Sequence, residues 1–203
     1  MQESAGARDG PAGPGRGWLR WPVVGPWAQA PQNSKGSEVD ALTGEESTVP
    51  SFGPEIELYF EDFQEGQHFD LGSTTILEQE ILDFARRYDP QPFHVSVDSA
   101  RGTIFGGLIA SGWQTASIWM RLYCDALLLR SASLGSPGVE ALRWVAPVRP
   151  GDLLVASVDV TSTSPSTHHP LRGSVVLQGE LRGGDGGLKM RLTAWGHFAR
   201  RHR

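Results

Sequence analysis

The sequence predicts an α+β fold in which one antiparallel sheet wraps a long central helix, and three observations predict it. Residues 111–130 are helical in pattern and apolar on nearly every side, as a helix in the centre of a domain would be. Strand-like runs follow at 139–145, 153–162, 173–181 and 188–198. Gly183-Gly184-Asp185-Gly186-Gly187 then turns the last two runs into a hairpin.

The other elements follow in chain order. Residues 1–54 are rich in Gly, Pro, Ser and acid and hold no sustained period, so they are expected to be disordered, ahead of a single folded domain at 55–200. A hydrophobic content of 39% over 203 residues fits a chain that is partly unfolded. Trp18, Trp21 and Trp27 are unusual in such a segment and leave open docking on a partner, docking on the domain, or no role. Ile56-Glu57-Leu58-Tyr59-Phe60 predicts an entry strand, and His68-Phe69-Asp70-Leu71-Gly72 a second short one. Leu77, Ile81, Phe84, Ala85 and Tyr88 then form one helical stripe, with Thr75 and Glu78 at capping-box spacing. Asp89-Pro90 ends that helix, which makes the next stretch a post-helix loop. Phe105-Gly106-Gly107 reads as a turn and Pro147-Val148-Arg149-Pro150-Gly151-Asp152 as a tight connection.

Composition excludes several classes. A net charge of −5 gives no basic footprint for nucleic acid. One cysteine, Cys124, rules out an internal disulfide and a cysteine zinc cluster, and a reducing, cytoplasmic setting is expected. Gln114, Arg121 and Asp125 interrupt the apolar region 104–129, which argues against a membrane span. WPVVGPWAQA ends like a leader cleavage site, but its two prolines and the upstream acids Glu3 and Asp9 argue against secretion.

The chemistry concentrates in RYDPQPFHVSVD, residues 87–98. Proline fixes its own φ and biases the preceding residue toward extended geometry, so Pro90 and Pro92 hold Asp89 and His94 at the ends of a stiff connection. Taken alone, Asp89 reads as a helix-ending turn acid and His94 as a satisfied buried histidine.

The wider run FARRYDPQPFHVSVDSARGTIFGGLIASGWQTASIWMRL resembles the MaoC-like, hot-dog-fold (R)-specific enoyl-CoA hydratases and dehydratases. The resemblance rests on Asp89, His94 and the segment Phe105-Gly106-Gly107-Leu108-Ile109-Ala110-Ser111-Gly112, with APVRPGDLL downstream. It spans roughly residues 56–200. Three departures stand out. Gln91-Pro92 replaces the family's Asn-Pro, and Ser111 replaces the histidine of its His-Gly pair. The family serine eight residues past that glycine is here Met120, with Ser117 one turn earlier.

The resemblance implies a homodimer that hydrates trans-2-enoyl thioesters, or dehydrates 3-hydroxyacyl thioesters, with CoA or acyl carrier protein as carrier. Neither metal nor redox cofactor is implied. Asp89 and His94 would hold the water, and partial burial is expected to bring their titration toward neutral pH. Gly112, in the first turn of the long helix, would offer its N–H to the thioester oxygen, with Ser111 beside it. The acyl chain would lie along the helix near Trp113 and Ile109. Two rivals stay open: a non-catalytic acyl-thioester-binding or dimerisation module, and a hot-dog acyl-CoA thioesterase, whose acid would come from the central helix. Gln114 and Arg121 hint at a substrate less plain than a fatty chain.

Overall fold

The computed structural model describes residues 55–201, so the expectations for residues 1–54, including the tryptophans, lie outside the described residues. Strand β1 (His68–Thr75) leads to helix α1 (Glu78–Tyr88), the short helices α2 (Pro92–Val95) and α3 (Val97–Arg101), and the long helix α4 (Gly112–Ala126). Four strands follow: β2 (Val139–Trp144), β3 (Leu153–Pro165), β4 (Arg172–Gly183) and β5 (Leu188–Ala199). They form one antiparallel sheet with β1 in the order β1-β3-β4-β5-β2. This is the hot-dog arrangement.

Alternation along the strands builds the inner face. Leu154, Ala156, Val158 and Val160 of β3, Val175, Leu177 and Leu181 of β4, and Met190, Leu192 and Phe198 of β5 are all buried there. Helix α4 lays Trp119 and Tyr123 on that face, stacked at 4.9 Å between ring centroids. The Trp119 Nε1–H donates to the Ser157 carbonyl of β3 at 3.1 Å. Gly179 of β4 makes this close packing possible, because a Cβ there would overlap the Trp119 indole. Gly179→Ala is therefore expected to cost about 1–3 kcal/mol of stability, read as a lower denaturant midpoint at unchanged m.

The structure corrects several expectations. No strand forms over 56–60: Leu58 makes one isolated parallel bridge to Ser131, and a 3-10 turn at Phe60–Asp62 follows. The Asp62 carboxylate accepts from the Tyr59 N–H at 2.8 Å, which favours a turn over an extended run. Helix α1 is capped by Glu80, which accepts from the Leu77 N–H at 2.7 Å; Thr75 ends β1 instead. Ile81 and Ala85 carry the buried stripe, while Leu77 and Tyr88 at its ends are exposed. The central helix stops at Ala126, and a 3-10 turn at Leu128–Arg130 continues the chain. It is also one-sided, with Trp113 62% and Met120 44% exposed, because the sheet covers one face only. The meander holds for β3, β4 and β5, but β2 crosses to pair with β5. Among the described residues no helix is long and apolar enough to cross a membrane.

Candidate active site

Asp89 stands at the C-terminal end of α1 with φ −151° and ψ 68°, its N–H still donating to the Ala85 carbonyl. Gln91 is extended, and Pro92 opens α2 at a position where a missing N–H costs nothing. The expected loop is thus a single helical turn with His94 on it. The Asp-to-His spacing becomes a fold-back rather than a spread.

His94 is 5% exposed. A carbonyl only accepts, so the 2.8 Å contact from His94 Nδ1 to the Ile109 oxygen places a proton on Nδ1. In the neutral ring, Nε2 is then the free acceptor, and it lies 3.4 Å from Asp89 Oδ2. The Ile109 N–H returns a bond to the Phe93 carbonyl at 3.2 Å, so the segment before α4 is tied to the backbone of α2 as well as to the imidazole. Ile109 itself is buried and meets the site through its backbone.

The carboxylate is held as firmly. The Ser111 hydroxyl donates to Asp89 Oδ2 at 2.6 Å, and Gln91 Nε2 donates to Oδ1 at 2.8 Å. Burial alone would raise the Asp89 carboxyl, but these two donors, with His94 alongside, outweigh it and hold the group below its ordinary value. The expected drift toward neutrality is therefore reversed for Asp89. Donors face both oxygens, and hydrogen bonding to the charged form outweighs the loss of solvent.

Ser111 caps α4, accepting from the Trp113 N–H at 3.2 Å, and its carbonyl accepts from the N–H of Thr115. Gly112 is the first residue of α4, where an N–H has no carbonyl within the helix to bond, and no described residue accepts from it. The space beside the Gly112 α-carbon is filled by Trp144, at the end of β2. Its Nε1–H donates to the Gly112 carbonyl at 2.8 Å, and a Cβ at Gly112 would overlap the ring. Trp113 meets Trp144 edge-on at 5.4 Å, so this expected contact lies on the exposed side of α4 and not in the core.

Asp89, His94, Ser111, Gly112 and the Ile109 backbone come together. Other residues singled out in the sequence do not. Ser117 is exposed and bonds the Trp113 carbonyl, and Met120 is turned outward. Arg121 pairs with Asp125 at 2.7 Å on the exposed face, which removes both from the site. Gln114 is buried and donates to the Glu80 carbonyl, tying α4 to α1. Gln91 and Trp144 went unread as site residues; only the position of Gln91 inside the proline frame could have flagged it.

A family model described as MaoC like domain matches residues 62–171. The chain is 37% identical over 134 residues to the (R)-specific enoyl-CoA hydratase of Rhodospirillum rubrum, covering 60% of this chain and 88% of that protein. It is 33% identical over 145 residues to the 3-hydroxybutyryl-CoA dehydratase of Methylorubrum extorquens, covering 63% and 84%. The crystal structure of the MaoC-like dehydratase from Rhodospirillum rubrum matches with a TM-score of 0.68 at 38% identity, covering 72% of this chain and 100% of that one.

Proposed function

The chain belongs to the MaoC-like domain family, and on that premise we propose that it adds water to trans-2-enoyl thioesters, or removes water from 3-hydroxyacyl thioesters. The observation that carries this reading is the convergence of Asp89 Oδ2 and His94 Nε2 at 3.4 Å. Two acceptors that close can take both hydrogens of one water, leaving its lone pairs directed outward. In hydration the water oxygen bonds the β-carbon while the π electrons move onto the thioester oxygen. One water proton passes to the dyad, and the dyad delivers a proton to the α-carbon as the enolate collapses. The Gly112 N–H, unclaimed at the helix end, is the donor for the transient oxyanion. The acyl chain lies along the exposed side of α4 at Trp113, with CoA or acyl carrier protein as carrier.

The apolar surface left by Trp113, Met120, Val139 and Trp144 supports a homodimer, and the lone Cys124 suits a reducing cytoplasm. Loss of the conjugated enoyl absorbance with short and medium trans-2-enoyl-CoAs tests the activity. Release of free CoA would instead indicate the thioesterase, and no reaction of either kind a binding module.

The pH dependence has a definite sign. Because Asp89 is held below its ordinary value of about 3.9, it stays ionised across pH 5–8. A rate profile over that window is expected to show no step from its protonation. Ionised Asp89 also favours the fold above its unfolded value, and this contribution is lost as pH falls through the lower folded value.

A further inference from the structure

The Ser111 hydroxyl is more than a helix cap. It is 0% exposed, and its single proton is donated to Asp89 Oδ2 at 2.6 Å, the same oxygen that faces His94 Nε2. That proton is consequently not available to a substrate. The hydroxyl oxygen in turn accepts from the Trp113 N–H, so the first turn of α4 aims it. Ser117 and Met120 face outward, which leaves Ser111 as the hydroxyl that α4 brings to the carboxylate.

We propose that Ser111 is a positioning residue for the water-activating dyad: its hydroxyl pins Asp89 Oδ2 beside His94 Nε2 and couples the carboxylate to the start of α4. This rests on the hydratase reading above. A short bond from a neutral donor to a carboxylate favours the charged form and fixes which oxygen points at the imidazole. Gln91 restrains the other oxygen, and His94 is the titratable group facing Asp89 among the described residues. Losing Ser111 frees the carboxylate to rotate, which removes rate without removing substrate binding.

The decisive variant is Ser111→Gly, because glycine is tolerated at a helix N-cap almost as well as serine. Ser111→Ala is the second hydroxyl-free variant, and Ser111→Thr keeps the hydroxyl. Two readouts are taken on the full chain. The first is the Asp89 carboxyl titration, followed by carbon NMR and assigned with Asp89→Asn. The second is enoyl-CoA hydration.

In the hydroxyl-free variants the Asp89 midpoint is expected to rise, kcat to fall roughly 10- to 100-fold and KM to stay near wild type. Ser111→Thr is expected to restore both. An unmoved Asp89 midpoint in either folded hydroxyl-free variant overturns the proposal, as does a loss confined to KM. If the wild type hydrates no enoyl-CoA, the hydratase reading fails. The titration arm still decides whether Ser111 governs Asp89.

Discussion

Asp89→Asn and His94→Ala are each expected to lower kcat/KM for enoyl-CoA hydration by about 10²–10⁴-fold, the usual contribution of a positioned acid–base group. Asparagine keeps the shape of Asp89 and the bond from Gln91 or Ser111, but it removes the negative charge that accepts a proton. His94→Ala removes the acceptor at Nε2 and leaves the Ile109 carbonyl without its donor, so it should also cost about 1–3 kcal/mol of stability. The two losses should not add. Both residues hold one water, and the double variant is expected to lie close to the worse single one. Activity surviving in either variant at more than a tenth of wild type would remove the dyad from the mechanism.

Gly112→Ala is expected to be nearly as damaging, by a different route. Its Cβ would overlap the Trp144 indole, so either the ring leaves or the first turn of α4 shifts. Shifting that turn displaces the Gly112 N–H and the Ser111 hydroxyl together. Misplacing an oxyanion donor typically costs about 10²–10³-fold in kcat. Trp144→Ala supplies the control. Paired with Gly112→Ala it empties the space, and recovery of rate in the double variant would assign the loss to the overlap. Full activity of Gly112→Ala alone would sink the oxyanion role.

The local parts of the site were readable and the long-range parts were not. Proline bracketing of Asp89 and His94 follows from backbone restriction between neighbours, so the pair could be identified in RYDPQPFH. The bond from Ser111 to Asp89 spans 22 residues and that from Trp144 to Gly112 spans 32, and no periodicity encodes either. The same split runs through the fold. Alternation revealed β3, β4 and β5, whereas the position of β2 beyond β5 is a matter of topology. The largely apolar and aromatic run over 56–60 suggested a strand, yet both Glu57 and Leu58 turn their N–H groups to the carbonyl of Arg130, a partner local pattern does not announce. The helix face bearing Trp113 and Met120 looked internal because composition counts apolar residues without saying which side the sheet takes.

Strand β1 pairs with β3 through residues as distant as His68 and Asp159, 91 positions apart, while β3, β4 and β5 succeed one another through short turns. Pairings this distant in sequence form more slowly than those between neighbours, so the three-strand ribbon is expected to assemble early and β1 to dock late. Helix α1, the Asp–His turn and α4 all lie between β1 and β3 in the chain. The catalytic machinery would then be the last region to form during folding and the first to come apart. Weakening the outer strand would extinguish turnover at temperatures where most of the sheet still stands.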